Sequence, residues 1–220
     1  MQKKIVSGTF IVLRKVPYLE SSLIISGLSP EYGRIDFLIK GERRISKKKS
    51  PEVDLFRVFN VEYAEKHSSL LNPLLMEYVK NYDRIAYYPE RLTELSTTVN
   101  FLLRNEHYGV SCKLVYSALI NHLERVIQKS HTSIMYIKLA YLFENGLLSH
   151  SLTSSENDGE IRAQAAVKMI LAFAVGATDK LNLSLSQEYS SRLEKWIESL
   201  CASGDIFDSS SGIKQDKFTV

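Results

Sequence analysis

The chain has 220 residues, 45% hydrophobic and 24% charged, which excludes global disorder and leaves enough chain to bury one large core or two small ones. Its formal net charge is only +3, so total charge by itself points to no polyanionic partner. Two cysteines, Cys112 and Cys201, exclude a disulfide framework and indicate a reducing, cytoplasmic setting, and the longest uncharged apolar stretch, Met169 to Ala177, is about half of the roughly 20 residues needed to cross a bilayer.

From Ile5 to about Glu65 the pattern is strand-like. Lys3-Lys4 followed by Ile5 to Leu13 has some features of a secretory signal, but Ser7-Gly8-Thr9 interrupts it and Arg14-Lys15 follows at once, so the segment is read as a first strand. Ser22 to Leu28 is a second β-rich run, closed by the turn cluster Ser29-Pro30-Glu31-Tyr32-Gly33. In Gly33 to Gly41, Ile35, Phe37 and Ile39 alternate with Asp36, Leu38 and Lys40, which sends one face to a core. Val53 to Tyr63 reads as a further strand or strand pair. Leu70 to Val79 completes the sheet, although Pro73 weakens a strand there.

From about Pro89 the period becomes helical. Pro89 suits the first turn of a helix reaching Asn105. Cys112, Val115, Leu119, Leu123 and Val126 form one stripe at spacings of three and four. Ile134 to Glu144 is a third helix, with Gly146 as its C-cap. Ser149 to Gly159 reads as a loop, Ile161 to Val175 as a central, mostly buried helix, and Leu185 to Leu200 as a last amphipathic one; the tail beyond Gly204 is polar. The expected architecture is α+β: a small β-barrel over residues 1–80, followed by an all-helical domain over 81–220. About five strands in some 70 residues fit a barrel such as an OB-fold better than a sandwich, and SH3-like barrels have similar counts.

The most informative segment lies between two of these strands. Lys40 to Lys49 holds six Lys or Arg against one acid, a local charge of +5 that leaves −2 for the rest of the chain. A solvated loop that merely keeps the protein soluble, or protects a strand edge, is the alternative to a phosphate-binding one. Membrane or import-receptor binding would also use such a run, but neither needs strands around it. Arg14, Lys15 and Arg34 extend the charge from neighbouring β segments. With Lys40, Arg43, Arg44, Lys47, Lys48 and Lys49 they are the candidate nucleic-acid contacts. Aromatic residues are interleaved in the same module. Tyr18 and Tyr32, beside turns, suit base stacking, whereas Phe37 and Phe59 suit the core.

No Gly-rich phosphate loop occurs, and the histidines include neither an HExxH nor a pairing with cysteine at zinc-finger spacing. Cys112 and His122 would form a nucleophilic pair only if the fold joined them, and Glu20 and Asp36 define no paired carboxylates. A non-enzymatic, cofactor-free protein is expected.

The order and spacing of short motifs resemble the RecO family of bacterial recombination-mediator proteins. Val12-Leu13-Arg14 through Pro17-Tyr18-Leu19-Glu20-Ser21-Ser22 is similar to the family's opening strand and turn. Ser29 to Arg34 resembles its T-x-x-x-G turn, with Ser29 for Thr, and Lys40-Gly41-Glu42-Arg43 its K-G-x-R loop. Leu55 to Phe59 stands where the family has a Leu-Gln-Pro-Phe-like strand, and Leu139 to Leu148 where it has an LLxxLGxxP helix end, with Ser149 for Pro. The likeness is strongest over residues 5–65, weaker to about 150 and compositional beyond. Ser149 to Gly159 contains none of the four zinc-binding cysteines of many members, which implies a zinc-free branch. The resemblance implies an N-terminal OB-fold joined to a helical domain. It also implies binding of single- and double-stranded DNA and annealing of complementary strands. The implied partners are RecR and the tail of single-stranded-DNA-binding protein, with RecA loading as the outcome and a nucleoid-associated monomer as the form. For an acidic, hydrophobic-ended tail the helical half offers Lys113, Arg125, Arg162 and Lys168 as candidate cations around an apolar pocket. The rival reading is a non-catalytic interaction scaffold with an incidental basic loop.

Overall fold

The computed structural model describes residues 4–41, 53–65, 70–148, 158–178 and 187–203, with side chains from 165 onward in the fourth helix and 191–202 in the fifth. Six strands occupy the first part: β1 (Ile5–Tyr18), β2 (Ser22–Ser29), β3 (Gly33–Ile39), β4 (Arg57–Ala64), β5 (Leu70–Leu71) and β6 (Pro73–Asn81). Their order is β5-β3-β2-β1-β4-β6, antiparallel except where β5 joins β3. The two ends of that order, β5 and β6, are separated only by Asn72. One passage of chain, 70–81, therefore pairs with β3 at its start and with β4 along its length, so the sheet curls until its ends meet through the backbone. This is the five-stranded, partly open Greek-key barrel of an OB-fold, with β5 and β6 as its last strand.

Alternation fills the barrel. Phe10, Ile25, Phe37, Phe59 and Tyr63 are fully buried inside it, with Phe10 and Phe37 rings edge-on at 5.0 Å and Phe37 and Tyr63 at 5.3 Å. A bulge leaves Leu13 without a partner in β2. Leu13 and Ile11 turn outward, where they join Leu28 and Val58 in the core of the helical half. The strand expected from Val53 begins only at Arg57. Phe56 has φ 57°, outside the β region, and its amide donates to the Val12 carbonyl at 2.7 Å, so residues 53–56 cross the mouth of the barrel instead. Pro17 is tolerated within β1 because β4 pairs with β1 no further than Ile11, leaving an edge where a missing donor costs nothing. Pro73 opens β6, and a strand accepts proline as its first residue.

Two 3-10 turns, Asp83–Tyr87 and Pro89–Arg91, lead to α1 (Leu92–Asn105), α2 (Lys113–Ile127), α3 (Ile134–Glu144), α4 (Asp158–Ala174) and α5 (Gln187–Ser203). The central helix is α3, not the expected Ile161–Val175 segment. Every residue from Met135 to Leu142 is buried, and α3 packs against all four other helices. Its sequence is apolar all round, so it has no face to give to solvent, whereas α4 exposes Ala165 and Lys168. Lys138 is buried with it, its ammonium 6.0 Å from the Phe101 ring. Among the described residues no helix is long and apolar enough to cross a membrane.

Barrel and helices meet along a hydrogen-bonded seam. The Gly109 amide donates to the Tyr32 carbonyl at 2.9 Å, and the Cys112 amide to Pro30 at 3.0 Å. The Cys112 thiol donates to the Ser29 carbonyl at 3.2 Å, and Ser111 Oγ to Pro30 at 3.1 Å. Some 12 residues along α2, Glu124 accepts from Lys80 at 2.7 Å and from the Tyr82 hydroxyl at 3.4 Å, so α2 is tied to the barrel at both ends. Gly33 makes the lower tie possible: it has φ 66°, and a Cβ there would overlap the carbonyl oxygens of His107 and Val110.

Gly33→Ala is therefore expected to lose about 2 kcal/mol or more in urea unfolding, from positive-φ strain plus the clash. Gly41→Ala, where φ is 77° but nothing lies within 4 Å, is expected to lose only the strain, about 1 kcal/mol. Equal losses would show that the close approach at Gly33 contributes nothing.

Candidate nucleic-acid interface

The outer face of β1, β2 and β3 divides in two. Its lower part, at Ile11, Leu13 and Leu28, is covered by the helices. Above that, successive ladder rows place Arg14, Ser26 and Asp36 side by side, then Val16, Ile24 and Leu38, then Tyr18 and Ser22. Lys40 follows the last β2–β3 pair, Leu23 with Ile39, and by alternation belongs to the face that carries Leu38. Val16 is 44% exposed and Tyr18 41%, and Ile24 and Leu38 are half-buried, with none of the four in either core. An apolar row with a tyrosine at one end and cations at its margins is thus open to solvent on the β2–β3 surface, where OB-folds carry oligonucleotides. At the hairpin tip beyond it, Leu19 is 75% exposed and held at φ 52°.

The candidate cations differ in what they already do. Arg14 is exposed and donates weakly to Ser26 Oγ at 3.3 Å. Lys15 pairs with Asp54 at 2.7 Å across the mouth of the barrel; that ammonium, with the Leu55 amide, holds the Asp54 carboxyl below the usual range against a partial burial that acts the other way. Lys40 is exposed. Arg34 is half-buried and committed to the seam: it donates to the Leu103 carbonyl at the end of α1 and to Asp36 at 2.9 Å. Its place in the T-x-x-x-G turn serves the join between the two halves. Arg43, Arg44, Lys47, Lys48 and Lys49 lie outside the described residues, but the chain leaves Lys40 at the upper end of the open face and returns at Val53 on the same end.

Tyr32, expected beside Tyr18 as a stacking residue, is not on this face. It packs edge-on against Tyr63 at 6.2 Å, at the lower end of the barrel. Phe37 and Phe59 are core residues, as their alternation indicated. The outer face of β1, β4 and β6 at the lower end is of opposite character. There a groove of about 450 Å³ is lined by Ser7, Thr9, Glu31, Asn60, Glu62 and Glu77. Its three carboxylates make this groove unfavourable to a polyanion.

On the helical half, Lys113 begins α2 and Arg125 lies near its end, about 18 Å away along the axis. Lys113 and Lys168 are exposed; Arg125 is partly buried with its guanidinium 3.7 Å from the centre of the Phe173 ring; the Arg162 side chain lies outside the described residues. Lys113 and Arg125 thus do not converge on one pocket. Cys112 and His122 are also separated, by about 15 Å along α2. His122 is buried, with Nδ1 2.7 Å from Thr132 Oγ1, and burial pushes its pKa down to about 4. The loop expected in place of a zinc knuckle lies mostly outside the described residues. Reading the strands missed the row Val16, Ile24 and Leu38. The alternation that turns Ile35, Phe37 and Ile39 towards the core was the available signal, since it leaves Leu38 on the outside.

Tyr18→Ala is expected to weaken binding of a single-stranded oligonucleotide by about fivefold or more, as base stacking on one ring is worth about 1–3 kcal/mol, with no change in melting temperature. Arg34→Ala is expected to do the reverse, lowering the melting temperature and leaving oligonucleotide affinity within about twofold. Fluorescence anisotropy beside thermal unfolding separates the two roles.

Residues 1–81 match the family model described as "Recombination protein O N terminal". No curated protein matches the chain.

Proposed function

Because the chain belongs to the RecO family of recombination and repair proteins through its N-terminal domain, we propose that it is a strand-annealing recombination mediator whose DNA site is the open upper face of the barrel. The observation that carries this reading is the row Val16, Ile24 and Leu38, exposed at Val16 and half-buried at the other two, with Tyr18, Arg14 and Lys40 around it, at the point where the +5 segment 40–49 leaves the sheet. Phosphates of single- or double-stranded DNA meet Arg14, Lys40, Arg43, Arg44, Lys47, Lys48 and Lys49, and exposed bases meet Tyr18 and the apolar row. Two strands held against one cationic surface repel each other less. Pairing then proceeds without a chemical step, so no catalytic residue or cofactor is required.

In this reading the helical half supplies the protein contacts, to RecR and to the tail of single-stranded-DNA-binding protein, and the assembly helps to load RecA in the bacterial cytoplasm at the nucleoid. The protein acts as a monomer with respect to DNA.

About four phosphate contacts to a single strand give a slope near −3 in a plot of log affinity against log salt. Changing Arg43, Arg44, Lys47 and Lys48 together to Glu is expected to abolish binding and the annealing of complementary labelled oligonucleotides, while thermal unfolding stays as in the wild type. Unchanged affinity in that variant, or a slope near zero, would overturn the reading in favour of a scaffold with an incidental basic loop. Adding cognate single-stranded-DNA-binding protein to the same assay tests the proposed partner.

A further inference from the structure

The seam contains a carboxyl group in an unusual position. Glu106 follows α1 and opens the connection to α2, the segment whose Gly109 and Cys112 amides hold the β2–β3 turn. The residue is 4% exposed, and its Oε1 is buried with no hydrogen-bond partner. A buried carboxylate oxygen without a partner is costly, and such an atom in a folded protein calls for a physical explanation.

The groups around it do not favour a charge there. From α3, Glu144 adds a field of the same sign, while its own two oxygens accept from the Leu114 and Val115 amides at 3.1 and 3.0 Å and so cap α2. Tyr141, also from α3, donates its hydroxyl to the Asn105 carbonyl at 3.4 Å. From the connection itself, the Cys112 thiol is kept protonated by burial and by the fields of Glu106, Glu144 and Glu31, and donates to Ser29 on the turn. His107 is exposed beside it, and from β3 Arg34 is committed to the Leu103 carbonyl and Asp36.

We propose that Glu106 is a proton-responsive latch on the seam between barrel and helices: neutral, it lets the α1–α2 connection close on the β2–β3 turn, and ionised, it drives that connection away. Burial first, and the Glu144 charge second, push the Glu106 pKa from 4.5 up to about 7. A carboxyl raised on closure binds more protons closed than open. The closed seam is therefore most stable at low pH and loses stability as pH rises from the ordinary carboxylate range through about 7, with no further loss above about 8. With a closed-state pKa of about 7 and an open-state value of 4.5, the open fraction rises about tenfold between pH 6 and pH 8.

Hydrogen exchange on the full chain tests this, with rates corrected for base catalysis. Protection of the Gly109 and Cys112 amides is expected to fall about tenfold from pH 6 to pH 8, while amides in the β1–β4 ladder hold constant. Glu106→Gln is expected to hold both seam amides at one protection throughout, about thirtyfold above that of the wild type at pH 6. Flat protection in the wild type overturns the proposal. So does an unchanged pH response in Glu106→Gln, which would assign the titration to another group. Should that variant not fold, carboxyl-carbon NMR on the wild type gives the answer directly: a Glu106 midpoint near 7 supports the latch, and one below about 5.5 overturns it.

Discussion

Two amide hydrogens, on Gly109 and Cys112, fix how the two halves of this protein meet. Each is donated to a carbonyl of the β2–β3 turn, which has no strand partner for those oxygens because the chain is reversing there. Everything on the helical side follows from that anchor. It sets where α2 starts, and α2 then runs up the barrel until Glu124 reaches Lys80 and Tyr82. It also places the end of α1 against Arg34, so that the helices cover the lower outer face at Ile11, Leu13 and Leu28 and leave the upper rows bare. The turn tolerates this approach only because position 33 lacks a Cβ.

The bare rows matter because charge is distributed along the barrel rather than summed over it. A net charge of +3 hides an acidic lower groove and the +5 concentrated in residues 40–49. Fields of opposite sign on one small domain orient an incoming polyanion before any contact forms. In the proposed mode of binding, contacts divide by chemistry: guanidinium and ammonium groups for phosphate, Tyr18 and the aliphatic row for bases. Arg34 shows why a list of basic residues is not a binding site. Its sequence context resembles that of the other cations, yet it already donates to the Leu103 carbonyl and to Asp36, which fix it in the seam.

Much of the fold was legible in the residues. Alternation at Ile35, Phe37 and Ile39, the stripe from Cys112 to Val126, and Gly146 after Glu144 all reflect local periodicity, which survives without tertiary information. The failures were of another kind. Val53–Phe56 has strand composition but is bent by its role in crossing the barrel mouth, and α4 has the composition of a central helix while α3 is the one that touches every other helix. Both depend on what lies opposite a segment. The site divides the same way. Its charge was visible in residues 40–49, whereas its apolar row needed the register of three strands, and the employment of Arg34 needed a helix some 70 residues away.

Photo-crosslinking tests the central claim, that DNA lies on the upper face of β1–β3 and not elsewhere on the barrel. A benzophenone side chain placed at Leu38, and separately at Glu62 in the acidic groove, would be irradiated with a labelled single strand. Capture at position 38 and none at 62 is the expected result. Capture at 62 with none at 38 would contradict the account, and with it the orientation that the seam imposes.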